Sequence, residues 1–161
     1  MYKIKSFFII LFSALCLNVK SQQIIASSEI DPLEVILIHR AAKIYLKDTN
    51  VQIIVKNSPL YPGLEGMTQQ IGPKLYSIDI AFDLKNKKER KWTILHEFGH
   101  VLDFYLGFLS QHPPRWMGKK IDHRLPWNLR PWEISADNWA AELWAALLDE
   151  PPPYVIWNME N

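Results

Sequence analysis

The sequence contains little cysteine and little net charge, and it has no apolar run long enough to cross a membrane. Cys16 is its one cysteine, so the chain cannot close an internal disulfide. The formal net charge is +1 over 161 residues, which argues against a nucleic-acid binder driven by phosphate charge. The apolar run at Phe7–Leu17 spans 11 residues, whereas a membrane-spanning helix needs about 20.

The composition is that of one ordinary folded domain with a large aromatic content. Hydrophobic residues make up 48% of the chain and charged residues 22%. Seven Trp, six Tyr and seven Phe are more aromatic residues than a small core needs. We therefore expect some of them to line a cleft, most of all in the proline-rich stretch from Phe108 to Trp132.

The first 21 residues have the layout of a secretory signal peptide. Lys3 and Lys5 precede the apolar run, and Ser21 is a small residue suited to a cleavage site. A lipoprotein signal would use Cys16, but Leu15 before it fits that signal poorly. We expect cleavage after Ser21 and a single domain over residues 22–161, secreted or periplasmic. Without cysteine, that domain depends on its core or on a bound metal for stability.

The hydrophobic pattern predicts an α+β fold. Asp31 and Asn86 are candidate helix N-caps, each followed three residues later by a glutamate, and Gly107 is a candidate helix stop. Strict alternation over Tyr76–Asp83 predicts a strand with one solvated face near a sheet edge. The predicted order is a helix over 31–47, a strand over 51–56, a loop over 57–74, the strand over 76–83, a helix over 86–107, a loop over 108–130 and a helix from 131 to the proline triplet at 151–153.

The strongest chemical signal is His96-Glu97-x-x-His100 on the second predicted helix. Histidines at i and i+4 lie on one helix face, from which both imidazoles can bind one Zn²⁺. Glu97 lies beside them and can hold a water molecule rather than the metal. Gly99 leaves room for a substrate or another helix. Two buried core histidines with an incidental glutamate are the alternative explanation.

A zinc site needs a third protein ligand, and the last helix offers Glu133. Asp137 lies one turn later and can accept a hydrogen bond from the outer ring nitrogen of a ligand histidine. Asp103 would crowd the histidines as a ligand, so we expect it to support them instead. Three further histidines are weaker ligand candidates; they are His39, His112 and His123.

These two motifs resemble the gluzincin group of zinc metallopeptidases. The segment Glu133-x-x-Ala-Asp-Asn, with Asp103 three residues after the second histidine, is locally similar to the neprilysin type. The membrane CAAX-protease and HtpX-like families share the Glu-x-x-Ala-Asp element, and the continuation Ala140–Leu143 is similar to the ImmA/IrrE proteins. The resemblance implies a minimal zincin-like domain, in which an edge strand packs on the zinc-binding helix and a second helix carries a glutamate.

The resemblance also implies a function: a zinc-dependent peptidase with one Zn²⁺ per chain. His96, His100 and Glu133 would bind the metal, and Glu97 would be the general base that activates water. The oxyanion would be stabilised by a tyrosine or histidine; the candidates are Tyr105, His112 and His123. We expect a peptide or protein substrate bound along the edge strand, a monomer, and neither a nucleic-acid partner nor a lasting membrane anchor.

Two other functions are compatible with the same residues. The chain could be a non-catalytic zinc-binding module, although a structural site usually closes all four positions with cysteine-rich ligands. It could also be a zinc hydrolase that acts on non-peptide substrates.

Overall fold

The computed structural model describes residues 22–47 and 50–153. The predicted signal peptide and residues 154–161 of the predicted domain lie outside this part of the chain. The described residues form an α+β domain, as predicted. Its elements, in chain order, are β1 (Gln23–Ala26), α1 (Pro32–Tyr45), β2 (Gln52–Ser58), β3 (Gly66–Gly72), β4 (Leu75–Ala81), α2 (Lys87–Tyr105), β5 (Leu109–Gln111), β6 (Pro114–Trp116), β7 (Lys119–Lys120), a short 3-10 helix (Trp127–Leu129) and α3 (Pro131–Leu147).

The helix ends follow the local signals in the sequence. The Asp31 side chain accepts a hydrogen bond from the backbone N–H of Leu33, and Pro32 begins α1. The Asn86 side chain accepts from the backbone N–H groups at the start of α2. Gly107 follows Leu106, the C-cap of α2, and adopts a φ of 77°, a conformation that favours glycine. None of the described helices has the length and apolar character required to span a bilayer.

The main sheet has the strand order β1-β2-β4-β3. β1, β2 and β4 are parallel, and β3 pairs antiparallel with β4 at the edge. The prediction that Tyr76–Asp83 is an edge strand with one solvated face is therefore wrong. β4 is an inner strand, and Ser77 and Asp79 are each only 4% exposed. Asp79 is buried because Ser58 and Ser77 donate hydrogen bonds to it and Lys56 pairs with it at 3.2 Å.

Two predicted loops contain strands. The edge strand β3 lies within the predicted loop over 57–74, and three short strands lie within the predicted loop over 108–130. β5, β6 and β7 form a separate antiparallel sheet. β1 was not predicted at all. All of these strands depend on pairing with distant or neighbouring segments rather than on an amphipathic pattern of their own.

The core lies between the main sheet and the helices. The buried apolar side chains of β2 and β4 pack with those of α1, α2 and α3; they include Tyr76, Phe98 and Trp144. Arg90 of α2 links this helix to α1 and to the main sheet. Its guanidinium pairs with Glu34 of α1 at 2.5 Å and donates to the Asn57 side chain of β2 at 2.6 Å. These contacts fix α2, the helix with the His-Glu-x-x-His motif, on the sheet.

Candidate metal centre

The motif residues of α2 lie inside the protein rather than on a solvated helix face. His96 is 9% exposed, Glu97 5% and His100 8%. Their burial follows from the position of α2, which has the main sheet on one side and α3 on the other. The two imidazole rings have centroids 4.9 Å apart and lie nearly perpendicular, as i and i+4 residues of one helix allow.

Glu133 of α3 brings a carboxylate to both imidazoles. Its Oε2 lies 3.2 Å from Nε2 of His96 and 3.4 Å from Nε2 of His100. One ligand atom from each of the three residues falls within 4.8 Å of the other two. These three are the group of His, Cys, Asp and Glu side chains, among those in the described ranges, that could hold a metal ion. Two imidazole nitrogens and a carboxylate oxygen converge on one point.

Asp137 lies one turn after Glu133 and contacts the outer nitrogen of His96. Its Oδ1 is 2.8 Å from Nδ1 of His96, which leaves Nε2 of the same ring directed toward Glu133. Burial lowers the pKa of His96, but hydrogen bonds to Asp137 and Glu133 outweigh burial and raise that pKa to about 10. Burial raises the pKa of Glu133, but the two histidines lower it to about 2. Two carboxylates therefore hold this imidazole in place.

Glu97 lies outside this group of three and contacts the edge strand β3. The Thr68 hydroxyl of β3 lies 2.8 Å from Oε2 of Glu97 and 2.9 Å from its backbone carbonyl. Gly66 makes the approach possible, because a Cβ built at that position would lie 2.5 Å from Oε1 of Glu97. Burial raises the pKa of the Glu97 carboxyl, and the neighbouring histidines offset part of the rise. The position thus favours a carboxyl that can accept a proton.

Two small residues allow α2 and α3 to cross closely. A Cβ on Gly99 would lie 2.9 Å from the Cα and carbonyl oxygen of Ala136. The sequence predicted that either a substrate or another helix lies against Gly99. In the structure it is the helix α3. Asp103 also joins the helices, since its Oδ1 accepts from Ser135 at 2.9 Å and from Trp139 at 3.0 Å. Asp103 is fully buried and lies outside the group of three candidate ligands.

The weaker ligand candidates are not part of this group. His39 is half-buried on α1, His112 is exposed in the turn after β5, and His123 is exposed with its ring against Trp132. Tyr105 is half-buried at the end of α2.

Sequence reasoning missed the residues of β3 that contact Glu97. Gly66 and Thr68 precede Glu97 by about thirty positions, and Thr68 is separated from it by 29. No motif joins the two segments, because they meet only through the pairing of β3 with β4.

The three donors fit a metal ion by their chemistry. Both imidazoles direct Nε2 to the Glu133 carboxylate, and this set of nitrogen and oxygen donors suits a divalent transition metal. Nδ1 of His100 is a buried ring nitrogen without a hydrogen-bond partner among the described residues.

Comparisons of the chain with family models, with curated proteins and with solved structures found no match.

Proposed function

We propose that this protein is a zinc-dependent peptidase of the gluzincin type, built on a minimal zincin-like domain. The observation that carries the proposal is the convergence of His96, His100 and Glu133, with Glu97 directly beside them. A structural zinc site has no use for a buried glutamate next to its ligands. A hydrolytic site does, since it needs a proton acceptor close to the metal.

Zinc is the metal that the donors favour. Its protein sites commonly use imidazole nitrogen and carboxylate oxygen, and a catalytic site uses three protein ligands. When bound, Zn²⁺ supplies a Lewis acid that acidifies water and polarises a carbonyl. Asp137 would keep the His96 ring in the tautomer that offers Nε2 to the metal.

Glu97 is the proposed general base. Its buried carboxyl has a raised pKa, so it can take a proton from water during attack on a peptide carbonyl and pass it to the leaving amine. The Thr68 hydroxyl holds Oε2 in one position. This contact leaves Oε1, the oxygen nearer Gly66, for the proton transfer.

β3 is the proposed substrate strand, in place of the strand over 76–83 that the sequence indicated. Over the described residues the main sheet has two edge strands, β1 and β3, and β3 is the one that contacts Glu97. An extended peptide can pair with such an edge through its backbone, which would lay a peptide bond beside the base.

The test is hydrolysis of a peptide library by the purified protein, before and after a zinc chelator and after zinc is restored. We expect chelator-sensitive cleavage that Glu97→Gln lowers by about 10²–10⁴-fold while the bound zinc remains. Glu89→Gln, another glutamate of α2, is the matched control and should cleave like the parent. Equal cleavage by Glu97→Gln would overturn the assignment. Zinc binding without any peptide cleavage would favour the non-catalytic module, or a hydrolase of other substrates.

A further inference from the structure

The open edge of β3 presents a defined set of backbone groups. The Ala81 N–H donates to the Glu65 carbonyl at 2.8 Å, so Glu65 faces β4. Along an antiparallel strand, residues alternate between facing the partner strand and facing away from it. By the register of this pair, Gly66, Thr68 and Gln70 direct their backbone N–H and C=O groups to the open edge.

The outward backbone N–H of Gln70, the last of these three residues, already has a hydrogen-bond acceptor within the protein. The Gln70 N–H donates at 3.0 Å to Oε1 of Gln111, the final residue of β5. β5 and β6 form an antiparallel hairpin. The residue before this hairpin is held to α2, because the Phe108 N–H donates to the Asp103 carbonyl at 2.9 Å. A side chain of the hairpin therefore takes the hydrogen bond that an added strand would make at Gln70.

The position of Glu97 relates this blocked site to the cleaved bond. Glu97 contacts Thr68 and lies against Gly66, so the bond to be cleaved lies at the level of these two residues. Antiparallel pairing is the more stable arrangement for an added strand. In that direction, the substrate residues that precede the cleaved bond extend toward Gln70. Outward backbone groups of β3 recur at every second residue. The substrate residue that would pair with Gln70 is therefore about two residues before the cleaved bond.

We infer that Gln111 limits how many substrate residues can precede the cleaved bond, so that the preferred substrates are peptides cut within about two residues of their amino terminus. This inference rests on the proposed peptidase function. Gln111 acts here by occupying a backbone position of β3, not by contact with the reacting atoms.

Two series of fluorogenic peptides test the limit. One series carries a fixed carboxyl-terminal part and is lengthened residue by residue before the cleaved bond; the other is lengthened after it. We expect lengthening before the bond to raise KM by about tenfold once Gln70 is reached, the effect of one lost pairing contact. Lengthening after the bond should leave KM within a few fold, and kcat should change little in both series.

Substitutions of Gln111 separate this role from general support of the hairpin. Gln111→Ala should abolish the rise in KM, and Gln111→Glu, which keeps an acceptor for the Gln70 N–H, should retain it. Ser110→Ala, on the neighbouring β5 residue, should also retain it. Faster amide hydrogen exchange at Gln70 in Gln111→Ala alone would confirm the contact independently of activity.

An unchanged length dependence in Gln111→Ala, or an equal rise in KM in both series, would overturn this inference and leave the peptidase assignment in place. If no peptide of either series is cleaved by any variant, the peptidase function itself fails. Hydrogen exchange at Gln70 that is the same in Gln111→Ala and the parent would also contradict the inference.

Discussion

The Thr68 hydroxyl lies 2.8 Å from Oε2 of Glu97, so the edge strand of the sheet directly contacts the proposed general base. This contact joins the two halves of the site. α2 and α3 bring the candidate ligands together, and β3 places a backbone edge where an extended substrate can pair. Substitutions on either side of the contact should therefore have different effects on metal binding and on hydrolysis.

The closeness of β3 to Glu97 depends on a missing side chain at Gly66. In Gly66→Ala the new Cβ would lie 2.5 Å from Oε1 of Glu97, so the carboxylate must move away. We expect hydrolysis to fall by about 100-fold, as for other small displacements of catalytic groups, while zinc stays bound. The measurement is kcat/KM beside zinc content.

Gly72→Ala is the matched control in the same strand. Its Cβ would make an ordinary contact with Leu75 at 3.5 Å, and we expect parent-like activity. Parent-like hydrolysis by Gly66→Ala would show that the position of Glu97 does not depend on this close approach.

In the proposed site, Asp137 would affect metal binding through His96. Asp137→Ala removes the carboxylate that lies 2.8 Å from Nδ1 and should weaken zinc binding by about 10–100-fold. The measurement is competition against a chelating dye, with the exposed neighbour Asn138→Ala as control. Equal affinities in Asp137→Ala and the control would mean that the His96–Asp137 contact does not orient the ligand.

Because Asp103 is buried, its contribution to the free energy of unfolding should depend on pH. Burial raises the pKa of its carboxyl, and hydrogen bonds from Ser135 and Trp139 offset part of the rise. A carboxyl with a raised folded pKa stabilises the fold below its unfolded pKa of about 3.9, and this contribution is lost as pH rises through the folded value. Asp103→Asn, which does not ionise, should therefore gain in unfolding free energy relative to the parent as pH rises above about 4.

Urea unfolding of the parent and Asp103→Asn across this range measures the difference, with the exposed Asp149→Asn as control. A constant or shrinking difference between Asp103→Asn and the parent would contradict the burial argument.

The parts of the fold predicted from sequence are those set by local chemistry. Asp31 and Asn86 cap helices because their side chains accept from backbone N–H groups two or three residues later. Gly107 follows α2 because its φ of 77° favours glycine. Spacing along α2 also places His96 and His100 on one face. Each of these signals lies within a few residues of the structure that it determines.

The parts that failed depend on contacts between distant segments. Asp79 alternates with apolar residues as a solvated residue would, yet it is buried because Ser58 and Lys56 of β2 satisfy its carboxylate. β3 has no amphipathic pattern, and it becomes a strand through its pairing with β4. The contact of Thr68 with Glu97 follows from that pairing, so no local signal could reveal it.

The ligand set is the central claim, and zinc titration of four variants tests it most directly. The variants are His96→Ala, His100→Ala, Glu133→Ala and the control His39→Ala, a half-buried histidine of α1. We predict one tightly bound zinc per chain in the parent and in His39→Ala, and binding at least about 100-fold weaker in each of the other three. Parent-like zinc affinity in Glu133→Ala, or no zinc binding by the parent, would contradict the account.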